Sequence, residues 1–172
     1  MLIVEEAKSS DIEDLVDLLI LLFSQEAEFV PERDLQRAGL RSIIEDASIG
    51  TIFVLKEKGV IIGMVSLLWS VSTALGGKVA FLEDMIVRPE YRGQKKGTVL
   101  IEYAIAYAKK HACKRITLLT DNDNFAAHHF YKHFGFRNSS MQPMRLILNN
   151  TSCEIVHEDF NTILKAVRNY FI

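Results

Sequence analysis

The sequence predicts a mixed α/β (α+β) domain, a mostly antiparallel central sheet of about six to seven strands flanked by helices, with an extra C-terminal helix. Three observations carry this expectation. Thr51 to Glu57 and Val60 to Val71 are β-rich runs separated only by Lys58-Gly59, a hairpin signature. Val79 to Val87 is an apolar run broken only by Glu83 and Asp84; it stops at Pro89 and leads through a Gly/Lys-rich stretch into a long helical pattern. Ile12, Leu15, Val16, Leu19, Leu22 and Phe23 recur at helical spacing, as expected of a helix laying one apolar face on a sheet.

Leu2 to Ala7 reads as a first strand, and Ser9-Ser10-Asp11 offers N-cap residues ahead of the first helix, with Glu13 and Asp14 in its first turn. The following stretch, Gln25-Glu26-Ala27-Glu28-Phe29-Val30-Pro31-Glu32, gathers three carboxylates and an aromatic before a second helix over about Asp34 to Ala47. Those carboxylates serve equally well as solvated surface charges or as a cation-attracting rim. The loop Ser72 to Gly77 returns the chain antiparallel into the strand over residues 79–87. Trp69, the one tryptophan, reads as core or edge packing.

Period-two alternation places Phe81, Glu83, Met85 and Val87 on one face of that strand and Ala80, Leu82, Asp84 and Ile86 on the other, so only one carboxylate is expected to face a given cleft. A carboxylate in an apolar strand is costly to bury unless it is hydrogen-bonded or takes part in chemistry. The loop Arg92-Gly93-Gln94-Lys95-Lys96-Gly97-Thr98 leads from the strand to a helix N-terminus. Unpaired backbone N–H groups and the positive end of a helix dipole there suit a pyrophosphate, and three cationic side chains add to the attraction. The loop lacks a lysine between Gly97 and Thr98, which excludes a nucleoside-triphosphate P-loop.

The helix opening at Thr98 extends to about His111, with Lys109, Lys110 and His111 suited to its C-terminal end. Lys114 to Thr120 is expected to be the next strand, and Asp121-Asn122-Asp123-Asn124 caps a short helix. His128 and His129 are adjacent and so face different ways on a helix, which argues against a shared metal site; no metal is expected. Residues 137–148 are expected to supply the last two strands, with Pro143 at an edge or turn. Val156, Phe160, Ile163, Leu164 and Val167 then recur at helical spacing. The expected organisation is one domain over residues 1–150 and an amphipathic helical extension over 151–172, packed on the domain or on a partner subunit in a homodimer.

Length and charge narrow the function classes. The 172 residues suffice for one domain, and 20 basic against 22 acidic residues give a net charge of −2, so no global field favours nucleic acid or an anionic membrane. Cys113 and Cys153 follow no metal or redox spacing and read as free thiols. Leu15 to Phe23 is too short, and too acidic in its flank, for a membrane span or signal peptide. A cytoplasmic protein is expected.

The segments Val87-x-Pro89-x-Tyr91-Arg92-Gly93-x-x-x-Gly97 and Asn124-x-x-Ala127-x-x-Phe130-Tyr131-x-x-x-Gly135-Phe136 together resemble the acyl-CoA-binding motifs of the GNAT superfamily of N-acetyltransferases. The resemblance implies acetyl-CoA as co-substrate and a small amine as acceptor. It implies that Arg92, Gly93, Gln94, Lys95, Lys96, Gly97 and Thr98 hold the pyrophosphate, that the pantetheine arm pairs with the strand at Met85, Ile86 and Val87, and that Asn124 hydrogen-bonds the arm. Tyr131 is expected near the thioester sulfur as a catalytic residue, from which the departing CoA thiolate can take a proton. Leu82-Glu83-Asp84 looks like the corresponding stretch of small-amine acetyltransferases, which makes Glu83 the expected general base and Asp84 the second choice; the resemblance also implies that the first helix pair forms one wall of the acceptor site, with Glu28 and Phe29 in it. One departure stands out: Lys95 occupies a position where the family has glycine. Were φ positive there, the lysine would cost about a kcal/mol or more; the competing expectations are an acyl-CoA-binding regulatory module with little catalysis and an acetyltransferase acting on a peptide or protein amine.

Overall fold

A computed structural model describes residues 1–25 and 30–148. Glu28 and Phe29, and the helical extension expected over 151–172, lie outside the described residues. The chain divides into two units, Met1–Phe136 and Arg137–Ile172. In the first unit β1 (Leu2–Glu6) is followed by α1 (Ile12–Phe23), α2 (Arg33–Glu45), β2 (Gly50–Glu57), β3 (Val60–Ser72), β4 (Gly77–Val87), α3 (Lys96–Lys110), β5 (Ile116–Thr117) and α4 (Phe125–His133). The strands form one sheet in the order β1-β2-β3-β4-β5, antiparallel except for the parallel β4–β5 pair.

Strict alternation along β2 builds two cores from one strand. Ile52 and Val54 join Met64, Ile86, Leu15, Leu19 and Leu40 beneath α1 and α2. Phe53 and Leu55 join Val65, Leu67, Leu82, Leu100 and Ala104 beneath α3. Each buried large apolar side chain contributes roughly 1.5–3 kcal/mol, so these two layers hold both helical faces. The turn between β2 and β3 is made by Lys58 and Gly59, both at positive φ, as the hairpin spacing predicts. Asp11 at the head of α1 makes no side-chain cap bond to that helix. Its carboxylate accepts from the Lys8 N–H at 2.9 Å and from Lys56 Nζ at 3.1 Å, which ties the start of α1 to β2.

The sheet differs from expectation in two places. Among the described residues it has five strands instead of six to seven, because residues 137–148 form neither helix nor strand. Pro143 removes a ladder donor in the middle of that segment, and β5 is only two residues long. That shortness has a cause in β4: β5 pairs only at Ala80↔Ile116 and Phe81↔Thr117, after which β4 bends at a bulge and offers no further partner.

Candidate functional site

The bulge in β4 is where the site begins. On β3, Met64 pairs with Ile86 and Ser66 with Glu83, so the single residue Val65 stands opposite both Asp84 and Met85. Asp84 absorbs the extra residue with a φ of +53°, a left-handed conformation that aspartate tolerates better than most residues do. The inserted residue corrects the predicted alternation. Met85 packs with Leu82 and Ala80 on the α3 side, whereas Ile86 falls on the α1 side. Gly63, paired with Val87, permits the close approach here: a Cβ would lie 2.8 Å from the Ile86 carbonyl oxygen.

The two carboxylates are placed by the same feature. Glu83 is exposed and pairs in register with Ser66. Asp84 is half-buried, and the fully buried Ser66 hydroxyl donates to its Oδ2 at 3.3 Å. Because Ser66 and Glu83 are directly opposed, the bulge brings Asp84 round to the side of the sheet that Glu83 also serves, in place of the opposite-face arrangement that alternation predicts. Ser66 was missed in the sequence reading, although one hydroxyl inside the apolar run Ile61 to Leu68 is the signal that could have found it.

Beyond Phe81, residues 82–87 of β4 have no β5 partner, so among the described residues the strand edge is open along the length that runs into the loop. Arg88 anchors the exit, its N–H bonding the Ile62 carbonyl at 2.8 Å and its Nε the Ile61 carbonyl at 3.1 Å. A short 3-10 turn, Pro89–Tyr91, then leads to Gly93 at φ +74° and Lys95 at φ +59°. Lys95 is the N-cap of α3, with no side-chain cap bond. The condition under which lysine is strained at the family's glycine position is therefore met. Among the described residues no backbone or side-chain acceptor meets the N–H groups of Lys96, Gly97 and Thr98. They cluster at the positive end of a 15-residue helix, the arrangement that suits a phosphate.

The three cations of the loop do different things. Lys95 is exposed. Arg92 donates from Nε to the Val87 carbonyl at 2.9 Å and from Nη2 to Gln25 Oε1 at 3.4 Å, which connects the end of β4 to the end of α1. Lys96 is buried and its ammonium is ion-paired with Glu57 at the end of β2, with the Tyr91 ring 5.9 Å away. The hydrogen bond from Lys96 holds the Glu57 carboxyl below its ordinary range. Gln94 donates to the Glu90 carbonyl at 3.3 Å. Sequence spacing gives no hint of Glu57 or Gln25, since both come from distant elements.

Helix α4 packs on this loop. A Cβ on Gly97 would stand 3.5 Å from Phe130 Cζ and 3.6 Å from Met85 Cε, so Gly97 faces both α4 and the bulged strand. Asn124 caps α4, its Oδ1 accepting from the Ala127 N–H at 3.1 Å, which leaves the side-chain NH₂ as the donor end. Tyr131 packs against Phe130 and Phe136, with ring centroids 5.2 and 5.7 Å away, and shares the cluster of Met85. Burial pushes its phenol up to about 12, so it is protonated throughout the neutral range. His128 Nε2 lies 3.0 Å from the Asp121 carbonyl and secures the start of α4. Among the described residues no group of three or more His, Cys, Asp or Glu is placed to hold a metal ion.

A central strand that bulges, parts from its parallel neighbour and ends in an N–H-rich loop at a helix N-terminus is the architecture of an acyl-CoA-dependent acyltransferase. The chain belongs to the acetyltransferase (GNAT) family, whose profile matches residues 12–136. Members of that family take acetyl-CoA as co-substrate. An uncharacterized N-acetyltransferase of Methanocaldococcus jannaschii is 41% identical over 59 residues, which is 34% of this chain and only 26% of that protein. A glucosamine 6-phosphate N-acetyltransferase of Trypanosoma brucei brucei is 29% identical over 143 residues, 82% of this chain and 92% of that protein. Among solved structures, a possible acetyltransferase from Clostridium difficile 630 superposes with a TM-score of 0.79 at 15% identity, covering 87% of this chain and 99% of that one. At that identity the likeness is one of fold.

Proposed function

We propose that this N-acetyltransferase moves the acetyl group of acetyl-CoA to the primary amine of a small cationic metabolite by direct attack. The observation that carries the reading is the continuity of the open β4 edge, residues 82–87, with the unpaired N–H groups of the α3 N-terminus. One extended ligand with a pyrophosphate at one end can use both. In this reading the backbone at Met85, Ile86 and Val87 meets the pantetheine arm and the Asn124 NH₂ donates to it. The loop from Arg92 to Thr98 receives the phosphates, with Lys95 the exposed loop cation that no acceptor among the described residues engages.

The acceptor arrives as an ammonium of pKa near 10.4 and must lose a proton before its lone pair can attack the thioester carbonyl. Glu83 takes that proton, directly or through a water, and Asp84, held by Ser66, adds negative charge beside it. As the C–N bond forms and the C–S bond breaks, charge moves to the departing sulfur. A phenol near 12 is a weaker acid than a thiol of about 8.5, so complete transfer from Tyr131 is uphill by roughly 5 kcal/mol. Tyr131 therefore acts first as a hydrogen-bond donor to the sulfur, and the thiol's proton is supplied in the end from the amine side.

The test is release of free thiol from acetyl-CoA over a panel of diamines, polyamines, amino sugars and lysine peptides. Turnover of diamines or polyamines that falls ~10²- to 10⁴-fold in Glu83→Gln supports the reading, whereas unchanged turnover in that variant removes Glu83 from the role. A second acceptor class is favoured by the Trypanosoma relative, whose name specifies glucosamine 6-phosphate. Preference for a phosphorylated amino sugar over polyamines would move the acceptor to that class. Acetyl-CoA binding without turnover on the whole panel would support the module with little catalysis, which the strained Lys95 motivates.

A further inference from the structure

At the end of the sheet remote from the loop, the fold builds a second site. Trp69 near the end of β3, Lys78 at the start of β4, and Tyr107 and His111 at the end of α3 surround a cavity of about 260 Å³, floored by Thr51 and Gly50. A groove of about 320 Å³ continues from it past Ala47 and Ser48, sharing Trp69 and Lys78. Tyr107 and His111 follow Lys96 along α3 by three to four turns, so at ~1.5 Å per residue these walls of the cavity lie roughly 16–22 Å from the loop. None of the residues of the β4 edge, 82–87, or of the loop, 92–98, lines it.

The lining is built of stacked rings. Trp69 and Tyr107 are near parallel with centroids 6.4 Å apart, and Tyr107 stacks on His111 at 4.0 Å. Lys78 Nζ sits 3.6 Å from the Trp69 centroid. The other half-buried or buried lysines of the sheet and its loop have carboxylates: Lys56 has Glu5 and Asp11, and Lys96 has Glu57. Lys78 is half-buried, yet among the described residues no carboxylate or carbonyl accepts from its ammonium. A cation–π contact is worth ~0.5–1 kcal/mol at an exposed site and leaves the three N–H donors to solvent or to a ligand. The one carboxylate in the cavity wall, Glu6, lies against Tyr107, whose phenol is pushed up by burial and by that carboxylate. The apolar part of the wall comes from Ile43, Ile44 and Ala47.

We propose that this cavity binds a small carboxylate with a flat apolar body, the carboxylate on the Lys78 ammonium and the body between the Trp69 ring and the end of α2. A site lined by aromatic and aliphatic groups with a few polar side chains, here Lys78, Glu6, Thr51 and His111, is the usual make-up of a small-molecule pocket. The inference does not rest on acetyl transfer, because its readout needs no turnover. Trp69 is the sole tryptophan of the chain, so its fluorescence reports this cavity alone.

The experiment titrates the protein with benzoate, with neutral benzamide and cationic benzylamine as probes of the same shape, following Trp69 emission. Benzoate is expected to give a saturable change and benzamide and benzylamine none. The benzoate dissociation constant should rise at least tenfold in Lys78→Gln, and Lys78→Arg should retain binding, which separates lost charge from lost folding. Saturating acetyl-CoA should leave the benzoate titration unchanged. Equal responses to benzoate and benzamide, saturation by benzylamine, a titration unaltered in Lys78→Gln, or displacement by acetyl-CoA would each overturn the proposal.

Discussion

Lys95 is the residue at which local conformational cost and ligand chemistry are set against each other. Its φ of +59° puts a branched-off Cβ where the family has none, and left-handed backbone costs a non-glycine residue about 1–2 kcal/mol. Lys95→Gly is therefore expected to stabilise the protein by about 1 kcal/mol and raise the melting temperature by roughly 2–4 °C. If the ammonium serves the phosphates, the same substitution weakens acetyl-CoA binding several-fold. Stability and affinity moving together in one direction would mean that the side chain does nothing for the ligand. The motif comparison made the lysine visible in the sequence; its dihedral was not, because a lysine at an N-cap is compatible with extended backbone too.

Tyr131 yields two further expectations at the same scale. Tyr131→Phe should lower turnover by about 10² or more while leaving the acetyl-CoA dissociation constant within a factor of a few, measured by thiol release and calorimetry. The raised phenol also has a stability consequence. Below pH 10 the group is neutral in both folded and unfolded chains. Between about 10 and 12 the unfolded chain ionises and the folded one does not, so stability is lost as pH rises through that window, by about 2–3 kcal/mol in all. Urea unfolding at pH 9 to 12 should show this slope in the wild type and a shallower one in Tyr131→Phe. Equal slopes would mean that the phenol is not buried as described.

Among the elements, β4 shows why the site was only half legible. The strand, its end at Pro89 and the helix beyond were readable from apolar runs, proline and glycine, which act locally. The bulge was not, since it depends on pairing with β3 residues seventeen or more positions away in the chain, and one inserted residue reverses the face of everything that follows. That is why Met85 and Ile86 exchange sides and why Asp84 joins Glu83. Gly63→Ala would force the β3 backbone against the Ile86 carbonyl and is expected to destabilise the fold and lower acetyl-CoA affinity together, read by urea unfolding and calorimetry; a stable, fully binding variant would show that the close approach at the bulge is dispensable. Helix α3 positions the loop through residues such as Leu100, which is fully buried. Leu100→Ala should cost 2–5 kcal/mol in chemical unfolding by ordinary cavity energetics, roughly, and a loss under 1 kcal/mol would mean that the α3 layer is loosely packed.

For the molecule as a whole, two motifs in order and a strand–loop–helix passage carried the family from sequence to structure, and the match over residues 12–136 agrees with that reading. The last strands were over-read: residues 137–148 have the apolar content of strands without regular alternation, and content alone does not make a ladder. The central claim is that the open β4 edge and the α3 N-terminus together form an acetyl-CoA site despite Lys95. Calorimetric titration with acetyl-CoA, with free CoA and ATP in parallel, tests it most directly. Micromolar binding of acetyl-CoA and CoA with no response to ATP is the predicted result. Failure of acetyl-CoA to bind, or equal binding of ATP, would contradict the account at the loop on which its other functional claims depend.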